Sequence, residues 1–190
     1  MEKENPLVSI ITPCYNGENV MHRLLDSILS QTYSNIEFIL INDGSTDHSE
    51  EIWYQYEKKF NEKGIKTIYI HQRNQGLGAA INAGLKVFTG DYLCWPDIDD
   101  YFEDTSVEKR VNFLETHKEY GSVSSDANQY MEDNLSEPVG TMASWLKHKE
   151  DEWQFEWLLK GQSLFCSGCH MLRTTSFLDV NPDRYIYPAR

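Results

Sequence analysis

Ile36-Glu37-Phe38-Ile39-Leu40-Ile41 runs directly into Asn42-Asp43-Gly44-Ser45, an apolar segment followed by a turn sequence. A short apolar run that ends at such a turn is typical of a strand buried on both faces. The turn is favoured because Asp can hydrogen-bond to its own backbone and Gly tolerates positive φ. The stretch therefore predicts a strand of a covered sheet, with a polar loop at its carboxyl end.

The flanking sequence repeats this alternation of apolar strand and amphipathic helix. We predict strands at 7–12, 67–70 and 92–95, the first of them ended by Pro13. We predict helices at 20–31, at 76–88, and from a cap at Ser45 or Thr46 to residue 60. Continuously apolar strands that alternate with helices indicate a parallel sheet covered on both faces.

The regular alternation weakens after residue 100. We predict a helix at 105–116, a strand at 121–130 and a short helix at 152–159. No repeat or linker divides the chain into independent parts. We therefore expect one α/β domain over residues 1–190, with an irregular second half.

Composition excludes several classes of protein. The 190 residues are 40% hydrophobic, which is enough for one domain with a real core. The net charge of −13 argues against a nucleic-acid partner, because phosphate binding needs a positive surface. No apolar run approaches the roughly 20 residues of a membrane helix, and residues 1–6 lack the core of a signal peptide. These features predict a cytoplasmic protein.

The cysteines do not suggest a metal or redox centre. Cys14 and Cys94 fall near predicted strand ends, where we expect them to pack as small apolar residues. Cys166 and Cys169 form a single Cys-x-x-Cys pair, followed by His170. A zinc site would need a second pair of ligands, so we expect neither zinc nor redox chemistry here.

The sequence Asp97-Ile98-Asp99-Asp100, called the acidic loop below, follows the predicted strand 92–95. Neighbouring carboxylates raise the free energy of ionising one another unless a cation lies among them. A cluster of oxygen ligands suits Mg²⁺ or Mn²⁺. The alternative for an isolated Asp-x-Asp is a solvated acidic turn.

Three other loops are predicted at the same edge of the sheet, where open α/β sheets bind ligands. Tyr15 could stack on a base or be a surface aromatic, and Asp43 could accept a pyrimidine N–H or form an Asx turn. Asn74 and Gly76 could let the backbone approach a sugar or phosphate, or simply start a helix. NAD binding is excluded, because residues 76–81 lack the third glycine and follow the third strand.

Residues 8–16, 41–47, 74–84 and 90–100 together resemble the family 2 glycosyltransferases, which have the GT-A fold. The four motifs occur in order and with similar spacing over residues 7–103, and residues 166–182 are similar to a later stretch of the family less specifically. The resemblance implies a Rossmann-like, mostly parallel central sheet flanked by helices. It also implies a nucleotide-sugar-binding half at 1–103 and a partial acceptor half at 104–190.

The resemblance further implies inverting transfer of a sugar from a nucleotide diphosphate, usually UDP, to an acceptor hydroxyl of a glycan or lipid-linked molecule. The residues it assigns to the nucleotide sugar are Pro13, Tyr15, Asn16, Asp43, Ser45, Asn74, Gly76, Asn82 and Asp97. It assigns Mn²⁺ or Mg²⁺ to Asp97 and Asp99, where the metal would neutralise the charge that builds on the departing diphosphate.

The general base is not identified by the sequence. Asp151, in the pair Glu150-Asp151, is a candidate, with a solvated helix start as the alternative. In the family the base follows the segment resembling 166–182, whereas this pair precedes it, so the expected position lies near or beyond Arg190. Chains of the family are usually longer than this one, and we expect a truncated domain. Four aromatic residues could line an acceptor groove or pack in the core: Trp145, Trp153, Phe155 and Trp157.

Three alternative functions share some of these features. A phosphohydrolase would carry its Asp-x-Asp after the first strand, and a nucleotidyltransferase would carry a basic, Gly-rich loop there, whereas residues 13–18 contain no Lys or Arg. A non-catalytic module that binds a nucleotide sugar or glycan stays open. The resemblance suggests surface polysaccharide or glycoconjugate synthesis, in the cytoplasm or at the inner face of the membrane, and specifies neither the sugar nor the acceptor.

Overall fold

The computed structural model describes residues 5–131, 134–141 and 167–186. Its helices in these ranges are α1 (Met21–Leu29), α2 (Ser49–Glu62), α3 (Leu77–Leu85), α4 (Ser106–Thr116) and α5 (Thr174–Val180). Its strands are β1 (Val8–Cys14), β2 (Ile36–Asn42), β3 (Lys66–His71), β4 (Tyr92–Cys94), β5 (Ser122–Ser124), β6 (Asn128–Gln129), β7 (Gly140–Thr141) and β8 (His170–Arg173). A single 3-10 turn, Ser167–Cys169, precedes β8.

Six strands form the central sheet in the order β3-β2-β1-β4-β8-β5. The first four of these are mutually parallel, and β8 is antiparallel to both of its neighbours. Since β4 and β5 both oppose β8, they run in the same direction. Strands β6 and β7 form a separate antiparallel pair. The prediction of an α/β domain with a mostly parallel sheet is confirmed.

The sheet is covered on both faces, as its apolar strands predict. Along β1, Val8 and Ile10 belong to one buried cluster, and Ile11 belongs to the other. The first cluster includes residues of α1, α2 and α4, and the second includes residues of α3 and α5. All seven residues of β1 and of β2 are buried, which explains why these two strands show no alternation of apolar and polar residues.

Two predicted boundaries were wrong for identifiable reasons. Pro13 does not end β1, which continues to Cys14. The Cys14 carbonyl points toward β2, where it accepts a hydrogen bond from the Asp43 backbone N–H. Because successive residues of a strand point their backbone groups to opposite sides, the nitrogen of Pro13 points toward β4. The pairing of β1 with β4 has already ended there, at Ile10. A proline is tolerated there because no ladder bond is lost.

Helix α2 begins at Ser49 rather than after a cap at Ser45 or Thr46. The Asp47 carboxylate accepts the Ser49 backbone N–H at 3.1 Å and the Ser49 hydroxyl at 2.6 Å, which sets the turn into the helix. Ser45 and Thr46 instead bond to Asn16 in the loop after β1.

The single strand predicted at 121–130 was also wrong, since two short strands in different sheets occupy this range. Asp126 lies between them, and its carboxylate accepts the N–H of Ala127 at 2.9 Å, a local bond that competes with strand pairing. The helix predicted at 152–159 lies outside the described residues. Among the helices that the structure describes, none is long and apolar enough to cross a membrane.

Candidate functional site

The loops that follow β1, β2, β3 and β4 leave the sheet at one edge, because these strands are parallel. The loops after β1 and β2 are tied directly to each other. The Asn16 backbone N–H donates to the Ser45 hydroxyl at 3.0 Å, and the Asn16 side-chain carbonyl accepts the Thr46 N–H at 2.9 Å. Asn16 adopts a positive φ of 52°, which Asn tolerates better than most residues. The predicted site residues Asn16 and Ser45 are therefore in contact.

Asp43 joins the loop after β2 to the loop after β3. One carboxylate oxygen, Oδ1, accepts the Gln72 side-chain amide at 2.7 Å and the Gln75 N–H at 2.9 Å. The other oxygen, Oδ2, accepts the Gly76 N–H at 2.8 Å. Two donors occupy Oδ1, whereas Oδ2 keeps a second lone pair with no partner among the described residues. Asp43 thus orders the start of α3 and retains one acceptor position.

Gly44 packs against Asn74, a second contact between the same two loops. Gly44 has a φ of +74°, and a Cβ built on it would lie 2.7 Å from the Asn74 backbone nitrogen. Only glycine satisfies both the positive φ and this approach. Sequence reasoning identified Gly44 as part of a turn but gave no reason why its partner should be Asn74.

The acidic loop lies against the loop after β1. A Cβ on the buried Gly17 would lie 3.2 Å from the Ile98 side chain, so that side chain packs against the Gly17 backbone. Asp99 is exposed and Asp97 is half-buried. The acidic loop is closed on itself by the Asp100 N–H, which donates to the Asp97 carbonyl at 3.2 Å.

Asp100 differs from the other two carboxylates of the acidic loop because it faces the protein. A Cβ on Gly168 would lie 2.6 Å from Asp100 Oδ2. Burial raises the pKa of Asp100 to about 6, the N–H of Asp97 opposes that rise, and the charges of Asp97 and Asp99 add to it. The Asp100 carboxylate is therefore packed against the backbone at Gly168, whereas Asp99 faces solvent.

Arg110 of α4 holds the other side of this contact. Its guanidinium is buried and donates to the Gly168 carbonyl at 3.1 Å and to the Ser106 hydroxyl at 2.9 Å. It also lies over the Phe102 ring, 4.8 Å from the centroid. Sequence reasoning missed both Arg110 and Gly168, since an arginine in a helix is ordinarily exposed and nothing in its spacing signals burial.

The donor chemistry of the acidic loop fits a hard divalent cation only in part. Within residues 5–131, 134–141 and 167–186, no three His, Cys, Asp or Glu side chains form a group able to hold a metal. Mg²⁺ commonly takes one or two carboxylates and completes its shell with substrate phosphates and water. Asp97 and Asp99 match that pattern if a diphosphate supplies the remaining oxygens. The metal remains a prediction.

The other predicted site residues occupy different environments. Tyr15 is 54% exposed at the start of its loop, and Asn74 and Gly76 are exposed as well. Pro13 is buried within β1. Asn82 is buried in α3, and its side-chain carbonyl accepts the Ile186 N–H at 3.1 Å. The structure therefore gives Asn82 a bond to the C-terminal segment, while its role toward a nucleotide sugar stays a prediction.

Several predicted residues lie outside the described residues. They are the base candidate Asp151, the aromatic residues Trp145, Trp153, Phe155 and Trp157, and Cys166. The other three cysteines, Cys14, Cys94 and Cys169, are buried free thiols. The burial of Cys14 and Cys94 in the core confirms their predicted packing role.

The profile of "Glycosyl transferase family 2" matches residues 9–180. This chain belongs to glycosyl transferase family 2. A relative from Rickettsia prowazekii, described as an uncharacterized glycosyltransferase, is 44% identical over 110 residues, which are 58% of this chain and 32% of the relative. The chain thus spans about a third of the length of that curated relative.

Solved structures with the same fold support the GT-A prediction. S. aureus TarS, in complex with UDP-GlcNAc, superposes with a TM-score of 0.64 at 23% identity, over 93% of this chain and 47% of TarS. The mannosyltransferase PcManGT of Pyrobaculum calidifontis, in complex with GDP-Man and Mn²⁺, gives a TM-score of 0.67 at 16% identity, over 94% of this chain and 47% of PcManGT. At these identities the likeness shows the fold alone.

Proposed function

We propose that this family 2 chain carries the donor-binding half of a glycosyltransferase that moves a sugar, with inversion, from a UDP-sugar to an acceptor hydroxyl. The observation that carries the proposal is Asp43, whose Oδ2 accepts one backbone N–H and keeps one lone pair. A carboxylate in that state can accept the ring N–H of uracil, which cytosine lacks at the same position. The donor is therefore expected to be a uridine nucleotide.

The acidic loop supplies the opposite end of the site. The Asp43 N–H donates to the Cys14 carbonyl, and the side chains of Cys14 and Ile98 both lie close to Gly17, so the loops after β1, β2 and β4 pack together. Mn²⁺ or Mg²⁺ bound at Asp97 and Asp99 would supply positive charge to the diphosphate as it leaves. The related folds of TarS and PcManGT are described with UDP-GlcNAc and with GDP-Man and Mn²⁺, which favours a nucleotide-diphosphate sugar as the donor.

In the proposed reaction the acceptor oxygen forms a bond to the anomeric carbon while the bond from that carbon to the phosphate oxygen breaks. The diphosphate leaves with the electron pair, and the hydroxyl proton passes to a base. Tyr15 would stack on the uracil, since its ring is exposed beside Asn16. Synthesis of a surface polysaccharide or glycoconjugate, in the cytoplasm or at the inner membrane face, remains part of the proposal.

A thermal-melt titration tests the donor site without needing turnover. UDP, GDP, CDP and ADP are each added with and without Mn²⁺ to the wild type and to Asp99→Asn. A ligand at about 100 times its dissociation constant adds about 2.7 kcal/mol to the free energy of unfolding, which is a shift of roughly 5–10 °C for a domain of this size. We expect that shift with UDP only when Mn²⁺ is present, and we expect it to disappear in Asp99→Asn.

Asp179→Asn is the matched control, because Asp179 is an exposed aspartate in α5 and the change removes the same charge. It should keep the full response to UDP with Mn²⁺. An equal response to all four nucleotides, or a UDP response that Asp99→Asn leaves unchanged, would overturn the proposal. Release of UDP from a UDP-sugar in the presence of an acceptor separates a transferase from a module that only binds.

A further inference from the structure

Two tyrosines meet beside the acidic loop and are not used by the proposed donor site. Tyr101 follows Asp100 directly and is 40% exposed, and Tyr130 is half-buried. Their ring centroids are 5.9 Å apart and the planes are tilted by 39°. An exposed, paired aromatic surface of this kind offers flat apolar faces with a polar hydroxyl at the edge.

The topology explains why Tyr130 reaches this edge. Strand β5 runs parallel to β4, because both are antiparallel to β8. The chain after β5 therefore leaves the sheet at the same edge as the chain after β4. The Ser125 N–H donates to the Cys169 carbonyl at 3.0 Å, which fixes that exit next to the 3-10 turn that contacts Asp100. Tyr101, in the chain after β4, and Tyr130, in the chain after β5, therefore meet at the same edge of the sheet.

The position of Tyr101 relative to the predicted metal ligands is set by the covalent chain. Only Asp100 lies between Asp99 and Tyr101, so their Cα atoms are two chain steps, at most about 7.6 Å, apart. Tyr101 therefore lies next to Asp99, a predicted ligand of the metal that would hold the donor diphosphate.

The hydroxyls of the pair are suited to sugar hydroxyls. A tyrosine hydroxyl can donate one hydrogen bond and also accept one, as a sugar hydroxyl can. The C–H groups of a sugar ring can meanwhile lie on the aromatic faces.

Charge around the pair limits what the sugar can be. The carboxylate of Glu103 and the guanidinium of Arg23 both act on Tyr101, with opposite effects, and the chain as a whole has a net charge of −13. That net charge repels an anionic acceptor, because a protein surface attracts ligands of the opposite charge and repels ligands of its own. A neutral acceptor meets no such barrier.

We propose that Tyr101 and Tyr130 form the acceptor subsite, and that they take a neutral sugar ring as the terminal unit of the acceptor. This inference rests on the proposed function, because it places the acceptor next to the donor diphosphate. The aromatic residues that the sequence suggests for an acceptor groove lie elsewhere, between 145 and 157.

Saturation-transfer NMR with methyl glycosides tests the subsite. Methyl β-glucoside, methyl β-galactoside and methyl β-N-acetylglucosaminide are the neutral probes, and methyl β-glucuronide is the anionic match to the first. With UDP and Mn²⁺ present, we expect transfer to the ring protons of at least one neutral probe and at least fivefold less to the glucuronide. Tyr101→Ala and Tyr130→Ala should each reduce the neutral signal at least fivefold, whereas Tyr101→Phe should keep part of it.

Tyr120→Ala is the matched control, because Tyr120 is 50% exposed and precedes β5, at the opposite edge of the sheet. It should leave the neutral signal unchanged. The wild type and each variant are also titrated with UDP and Mn²⁺ in the thermal melt. If the wild type shows no shift in melting temperature, the proposed function itself is contradicted. Three results would overturn the subsite alone, provided that the melting shift with UDP and Mn²⁺ is intact. They are no signal from any neutral sugar, a stronger signal from the glucuronide, and a neutral-sugar signal that the tyrosine variants retain.

Discussion

Asp43, one residue after β2, accepts the backbone N–H of Gly76, the residue that caps α3, at 2.8 Å. The same carboxylate also takes the Gln75 N–H and the Gln72 amide. A single buried side chain thus ends one loop, starts a helix and carries the acceptor proposed for uracil. The fold and the candidate site therefore depend on the same atoms, and experiments must separate the two effects.

Asp43→Asn should lower both stability and nucleotide binding. The amide nitrogen that replaces one oxygen would face backbone N–H donors, so we expect a loss of about 1–3 kcal/mol in the free energy of unfolding. The stabilisation by UDP with Mn²⁺ should also disappear. Urea unfolding and the melt titration measure the two effects separately.

Gln72→Ala is the control for this change, since it removes one donor to Asp43 Oδ1 and leaves the carboxylate intact. It should lower the free energy of unfolding by about 1 kcal/mol and keep the UDP response. A normal UDP response in Asp43→Asn would show that Asp43 has only a structural role.

Gly44→Ala should destabilise the protein far more than Gly64→Ala. Both glycines have positive φ, +74° and +77°, so the backbone strain of an added Cβ is matched. A Cβ at 44 would clash with the Asn74 nitrogen, whereas a Cβ at 64 meets nothing within 4 Å. We expect Gly64→Ala to lower the free energy of unfolding by about 1–2 kcal/mol, and Gly44→Ala by more than about 3 kcal/mol. Equal losses in urea unfolding would mean that the loops separate without penalty.

The sheet and its polar edge could be predicted from the sequence because each strand has a local sequence pattern. The apolar runs of β1 and β2 and the turn at Asp43 and Gly44 need no knowledge of distant residues. Which loops touch is different, because it depends on the spatial strand order β2-β1-β4, which the chain order does not reveal. The contacts of Asn16 with Ser45 and of Gly17 with Ile98 follow only from that order.

The second half of the chain was predicted less well for a related reason. Strand β8 comes late in the sequence and inserts between β4 and β5, so partners of the acidic loop are separated from it by about seventy residues, as Gly168 is from Asp100. The buried Arg110 donates a hydrogen bond to a backbone carbonyl, and no periodic pattern in the sequence predicts that role. Tyr101 and Tyr130 meet only because β5 runs parallel to β4.

Gly168→Ala should displace the acidic loop and weaken metal-dependent nucleotide binding. The new Cβ would lie 2.6 Å from Asp100 Oδ2, so that carboxylate must shift, and we expect the loop to follow because the same oxygen accepts the Asp97 N–H at 3.2 Å. We expect the Mn²⁺-dependent part of the UDP melt shift to fall by at least half. Gly121→Ala is the control, because its new Cβ would lie similarly close to another side chain, 2.8 Å from the Ser176 hydroxyl oxygen, at the other end of β5. It should keep the whole Mn²⁺-dependent shift, and the same loss in both variants would refute a specific link between Gly168 and the acidic loop.

Glu37→Gln should make the stability of the protein less sensitive to acid. Burial would raise the pKa of Glu37, but hydrogen bonds from Lys66, Ser9 and Thr89 outweigh it and hold the pKa below its ordinary value of 4.5. Because the pKa of Glu37 is lower in the folded state than in the unfolded state, the carboxylate stabilises the fold at pH values above the unfolded-state pKa. That contribution is lost as the pH falls through the folded-state pKa.

At pH 7 the Glu37→Gln variant should be less stable by about 1–3 kcal/mol, since the amide cannot accept all of these hydrogen bonds. Urea unfolding from pH 7 down to pH 3 should show the difference shrinking below pH 4.5. Asp179→Asn, an exposed change, should show no such convergence, and a difference that stays constant with pH would mean that the Glu37 charge does not stabilise the sheet.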